Sequence, residues 1–297
     1  MVYDVDTIKE RLTMAAFDKS FTPKKCERLI ENLCVKKPML FLTIDYKILA
    51  RSSYNIYNEK VSEVFNNVKR LSYNPNIKDI KLQRCNYPKQ QVFYGAVGYD
   101  HEFASMLATS VLEVCFEYVK QTDMDIHYMT VSRWQITQPL NVFVLPYASS
   151  SIMKNPEFKS ASEHFDTYLP ALAEEFNVSI EYIKSYLEFI SEIFCKREDK
   201  ANWYKISSAY FNYLMRYAAF QNVRLDGLLY PSANTEGAGI NIVLQKHVID
   251  SAIIYADKAI MYKAHRNPNN PKHFNFTDAS NEADINADGS FCFTNIW

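Results

Sequence analysis

The sequence predicts a mixed α+β domain, and three observations carry that expectation. Apolar runs with strand periodicity and stretches with helical periodicity are only partly interleaved along the chain. Glycine is scarce, six in 297 residues, so the glycine-rich strand-to-helix turns of a doubly wound parallel sheet lack their usual residue. Hydrophobic residues make up 48% and charged residues 23%, which a chain of this length can organise into a large core without disulfides or metal.

In chain order, residues 5–17 and 22–35 read as two helices, the second opened by Thr22-Pro23, a capping hydroxyl before a proline at the first helical position. Strands are predicted at Pro38–Ile44, Lys47–Ser52, Gln91–Val97, Met124–Ile136 and Leu140–Tyr147. Between the second and third, Ser72–Gln90 carries the Asn and Pro content of an irregular loop. A helix capped by Asp100 runs to about Gln121, with Phe103, Leu107, Val111, Val114 and Tyr118 as its core stripe. Residues 156–196 are helical, broken at Pro170 and restarted by Ser179, and ten acids against six bases in 151–200 suggest a solvated, insertion-like pair. A helix over 204–222, strands at Val223–Ser232 and Gly239–Gln245, and a last strand near Ala259–Ala264 complete the pattern. The domain organisation expected is a helical hairpin over 1–45, a core over 46–265 with the helical insertion at about 150–200, and an irregular tail over 266–297.

A net charge of −1 gives no diffuse positive field, so neither nucleic acid nor an anionic membrane is expected as a partner. The six cysteines stand singly, without a C-x-x-C pair, as expected of reduced thiols in a cytoplasmic protein. The first residues lack the apolar stretch of a signal peptide. No H-E-x-x-H, phosphate-loop glycine pattern or G-x-S-x-G is present, so no metal and no bound cofactor are expected. Cys115 reads as a small buried hydrophobe rather than a nucleophile.

Four stretches, in this order, carry the chemistry: Leu49-Ala-Arg51; Arg84-Cys-Asn86 followed by Phe93-Tyr94; Leu112-Glu113-Val114; and Asp226-Gly-Leu-Leu-Tyr-Pro-Ser232, with Asn241 to Leu244 beyond a glycine-containing loop. Together they resemble the RES domain, a family of NAD⁺-degrading toxins named for an arginine, a glutamate and a serine. The resemblance covers roughly residues 45–265; Tyr94 and Glu113 are 19 positions apart and the chain is long beside compact members of that family.

What the resemblance implies is an ADP-ribosyltransferase-like fold that takes NAD⁺ as substrate and cleaves its nicotinamide–ribosyl bond. The residues suit that task. Guanidinium groups meet phosphate oxygens bidentately, so Arg51 and Arg84 are candidate clamps for the pyrophosphate. An aromatic face attracts the cationic nicotinamide ring, a role that falls to Tyr94. A carboxylate beside the ribose stabilises the cation that forms as the bond breaks, as in glycoside hydrolysis. Glu113 is the candidate; it lies about 120° from the centre of its helix's apolar stripe, beside Met106 and Thr109, and Glu117 one turn on is its competitor. Ser232 orients, and Tyr230 and Asn241 are further candidates for the site. ADP-ribose could pass to water, to phosphate or to a macromolecule, and a non-catalytic module binding a nucleotide or a partner is the alternative of another class. An antitoxin protein and a second copy of the chain are the protein partners such a family suggests.

Overall fold

The computed structural model describes residues 4–33, 41–55, 57–58, 61–62, 64–98, 103–118, 125–145, 155–196, 202–235 and 238–296. Helix α1 (Val5–Phe17) starts where the Asp4 carboxylate accepts the Thr7 amide at 2.8 Å. Helix α2 (Pro23–Leu33) starts as its sequence predicts, with Thr22 Oγ1 accepting the Lys25 amide at 3.3 Å. Strands β1 (Phe41–Ile44) and β2 (Ile48–Tyr54) follow, then the short hairpin β3 (Tyr57–Asn58) and β4 (Val61–Ser62). Two 3₁₀ turns interrupt an otherwise irregular stretch before β5 (Val92–Val97). Helix α3 (Phe103–Tyr118) leads to the long β6 (Ile126–Ile136) and to β7 (Leu140–Val144). The expected cap Asp100 lies outside the described residues, as do the side chains of Cys115 and Glu117.

Helices α4 (Pro156–Asp166) and α5 (Leu169–Phe176) part at Pro170, which occupies the first turn of α5 where its missing N–H costs nothing. Helix α6 (Ile180–Cys195) begins at Ser179, whose hydroxyl accepts the Tyr182 amide at 3.1 Å. Then come α7 (Tyr204–Phe220), β8 (Gly227–Pro231), β9 (Ile240–Gln245), the short α8 (Lys246–Asp250), β10 (Ile254–Asn267), β11 (Asn270–Asp278) and β12 (Ala283–Asp284).

One mixed sheet organises the chain, in the order β1-β7-β8-β9-β5-β2-β6-β10-β11, with β12 on β10. The β7–β8 pair is parallel and the rest are antiparallel, the pattern of an α+β domain. Directly opposed residues show their side chains to the same face of a sheet. The register Ala50↔Ala96↔Asn241↔Tyr230 therefore lines one face. Helix α3 packs there: Met106 and Val111 are buried with Ala50, Met129 and Val131, and the Ser110 and Ser52 hydroxyls meet at 2.9 Å. The opposite face carries Leu49, Phe93 and Trp134, the last two edge to face at 4.8 Å.

The fold departs from the sequence reading in three places. The tail is not irregular: β11 pairs along β10, and Phe291 and Phe293 are buried against Phe65, Leu71 and Met261. Its Asn and Asp content reads as loop, but pairing along β10 makes 270–278 a strand even though Phe274 is only half-buried and Phe276 is exposed. Helix α6 is not a solvated addition, since it buries eight side chains from Ile183 to Phe194; the acids sit on its outer side, and a count of charge over the whole segment hides the apolar face. The buried face of α3 is also rotated from the expected stripe towards Met106, Thr109 and Ser110, leaving Leu107 and Val114 only partly covered. Among the described residues no helix is long and apolar enough to cross a membrane.

Across the sheet, Asp257 accepts Arg133 through two nitrogens at 3.0 and 2.7 Å, and Gln135 at 2.7 Å. Partial burial would raise the Asp257 carboxyl, but these bonds outweigh it and hold it below its ordinary value. A depressed acid stabilises the fold above its unfolded value near 3.9, and that contribution fades as the pH falls through the folded one. Asp257→Asn should therefore lower the urea midpoint at pH 7, by no more than about 1 kcal/mol for so exposed a pair. The difference from wild type should shrink below about pH 4, and an undiminished gap at pH 2 to 3 would contradict the assignment.

Candidate active site

The site begins with a glycine. Strand β8 ends at Pro231, and the Ser232 amide donates to the Gly239 carbonyl at 2.9 Å, so the ladder with β9 continues one step past both strands. A Cβ on Gly239 would collide with the Thr109 side chain of α3. Its absence lets the helix lie directly on the strand ends. Glu113, one turn beyond Thr109 on the same side of the helix, is thereby lowered onto β8 and β9.

Its carboxylate is held by three neutral donors. Ser232 Oγ donates to Oε1 at 2.6 Å and Asn241 Nδ2 to the same oxygen at 2.8 Å, while Asn234 Nδ2 donates to Oε2 at 2.7 Å. Ser232 and Asn241 are 0% and 3% exposed, so these bonds are sheltered from water. Glu113, Ser232 and Asn241, chosen from sequence, thus meet in space. Asn234 was missed, because a polar residue in a turn after a strand carries no signal of its own.

Arg84 approaches from the loop before β5 and is 8% exposed. Its Nη1 donates to the Phe194 carbonyl and, at 3.1 Å, to that of Lys196, at the C-terminus of α6. The guanidinium lies 5.1 Å from the Tyr204 ring and 5.9 Å from the Tyr230 ring. Burial alone would lower its pKa, but the facing Tyr204, Tyr230 and Glu113 reverse that and raise it. Among the described residues its hydrogen bonds run through Nη1 to carbonyls, with none from Nε or Nη2 and none to a carboxylate. Tyr230 is 4% exposed and its phenol is pushed well up by burial.

Tyr94 serves this loop. Its hydroxyl accepts the Cys85 amide at 2.8 Å and donates to Asn86 Oδ1 at 2.9 Å, while Asn86 Nδ2 reaches the carbonyls of Lys81 and Tyr87 at 2.9 Å each. The ring is a strut that fixes the Arg84-Cys85-Asn86 turn. Arg51 is not brought to the cluster. One position along β2 from Ala50, it projects from the opposite face, over Phe93 at 5.1 Å, with Nε on the Leu71 carbonyl at 2.9 Å and Nη1 on that of Tyr94 at 2.5 Å. There it closes the gap where β2 and β5 splay beyond their single pair, Ala50 and Ala96.

Burial pushes the Cys195 thiol, near Arg84 and Glu113, up to about 12, so it is protonated and a poor nucleophile at neutral pH. A separate apolar cavity of about 210 Å³ lies on the other side of the sheet, between Leu42, Val144, Leu229, Ile240 and Phe158, and includes none of these residues. Among the described residues no three His, Cys, Asp or Glu side chains gather as metal ligands.

If Gly239 sets the height of α3, Gly239→Ala should cost about 1–3 kcal/mol in a thermal or urea melt through overpacking. Adding Thr109→Ala should recover most of that loss, whereas simple additivity of the two changes would show that the contact is not what sets the helix. Compared with known proteins, the chain matches no family model and no curated protein.

Proposed function

We propose that this protein is an NAD⁺-degrading enzyme of the RES type, with an ADP-ribosyltransferase-like core, that cleaves the nicotinamide–ribosyl bond and passes ADP-ribose to water or phosphate. One observation carries the reading: a carboxylate held by three neutral donors lies in the electrostatic reach of a buried guanidinium whose Nε–Nη2 edge is unpaired among the described residues. A carboxylate offers about four lone-pair directions, so three donors leave one for a ribose hydroxyl. A guanidinium edge with two parallel donors matches a phosphate. A dinucleotide offers both groups, a phosphate and a ribose hydroxyl.

In this mechanism the C–N bond to nicotinamide breaks and its electron pair leaves with the neutral nicotinamide. The positive charge that develops on the ribosyl carbon is stabilised by Glu113, which Ser232, Asn234 and Asn241 hold in one orientation. Water then adds through oxygen and loses a proton, giving ADP-ribose. Arg84 takes the pyrophosphate and Tyr94 keeps its loop in place. Arg51, on the opposite face of the sheet, bonds the Leu71 and Tyr94 carbonyls and supports the strands rather than the reacting bond in this reading.

Incubation with NAD⁺ tests the reading. Wild type should release nicotinamide, Glu113→Ala should be about 10²- to 10³-fold slower in kcat, and Arg84→Ala should raise KM more than it lowers kcat. Absence of release by wild type, or undiminished release by Glu113→Ala, rules the reading out. With labelled NAD⁺ and cell lysate, label retained on a macromolecule would identify transfer instead of hydrolysis.

A further inference from the structure

The residues that hold Arg84 in place come from outside the four stretches that suggested the site. Its Nη1 is tied to the carbonyls of Phe194 and Lys196, the last turn and cap of α6. These are among the carbonyls a helix leaves unpaired at its C-terminus, where the dipole presents partial negative charge and welcomes a cation. The guanidinium carbon lies over two rings: Tyr230, 5.9 Å away, is on the motif strand β8, but Tyr204, 5.1 Å away, opens α7. With Nη1 bonded to two carbonyls and the guanidinium carbon over two rings, the direction of the Nε–Nη2 edge is constrained. That direction is set by Phe194, Lys196 and Tyr204, which a reading of the core motifs leaves without a role.

Tyr204 is the part of this arrangement that substitution can reach. A ring attracts a guanidinium through its π face, an effect of about 0.5–2 kcal/mol that grows as water is excluded. Phenylalanine retains that face and an aliphatic side chain does not. Arg84 itself is 8% exposed, so a shift of its plane cannot be compensated by solvent.

We propose that Tyr204, together with the C-terminal carbonyls of α6, is a positioning element of the active site that aims the Nε–Nη2 edge of Arg84 at the phosphates of a nucleotide ligand. The helices over 180–220 are then part of the ligand-binding apparatus rather than a covering added to it. This rests on the reading of Arg84 as the phosphate-binding group.

The test uses the full-length protein, with ADP-ribose binding followed by calorimetry beside nicotinamide release from NAD⁺. Tyr204→Leu should weaken ADP-ribose binding and raise KM about tenfold, with kcat little changed. Tyr204→Phe should restore most of the affinity. In an Arg84→Lys background, where the planar fork is gone, Tyr204→Leu should add no further loss; a residue needed only for folding would weaken both backgrounds alike. Equal affinity in wild type and Tyr204→Leu, or a tenfold loss that persists in Arg84→Lys, overturns the proposal while leaving the enzymatic reading intact. Binding of ADP-ribose without any release of nicotinamide defeats the enzymatic reading instead, and the affinities of the Tyr204 variants still decide this one.

Discussion

The architecture turns on how closely α3 can lie against the ends of β8 and β9. Gly239 leaves room for Thr109, and that contact sets the height at which Glu113 meets Ser232, Asn234 and Asn241. A carboxylate at a helix–sheet interface must find donors or pay a desolvation cost of several kcal/mol. Here it finds a hydroxyl and two amides. None of the three is charged, so the group is held without being neutralised by a direct ion pair. The same bonds tie one helix to the two strands whose register places Tyr230 opposite Asn241.

Arg84 presents the complementary problem. A guanidinium at 8% exposure with no carboxylate bonded to it among the described residues is stabilised by carbonyl oxygens, ring faces and the distant charge of Glu113. Each of these is weaker than a salt bridge, and together they leave the cation with unused donors. Arg51 shows the contrast. Its Nε bonds the Leu71 carbonyl and its Nη1 that of Tyr94 in β5, so the arginine ties β2 to its neighbours where the ladder has a single pair. Two arginines of similar standing in the sequence thus have different work: Arg51 leaves β2 on the face away from Glu113, while Arg84 is brought in by the loop before β5.

Much of the local structure could be read in advance because its causes are local. Thr22, Pro23, Pro170 and Ser179 mark helix starts through their own side chains, and each acts as its chemistry dictates. The gathering of Glu113 with Ser232 and Asn241 was legible from the order of four short stretches, although composition alone said nothing of it. Asn234 was not legible, since its value lies in where the turn after Ser232 aims one amide. The tail from 266 was misread for a related reason: Asn and Asp speak for loops, while β11 is a strand because β10 lies beside it. Charge over 151–200 likewise concealed the apolar side of α6 that packs into the core.

By itself, then, the sequence determined the α+β class, the helix starts marked by Thr22-Pro23 and Ser179, and the residue types of the candidate site, all of which follow from spacing along the chain and the chemistry of single side chains. Tertiary structure alone decided which of those residues share a face. A strand alternates its side chains, so one step from Ala50 sends Arg51 away from Glu113. A helix terminus is charged only when folded, so the hold of α6 on Arg84 exists nowhere in the linear order.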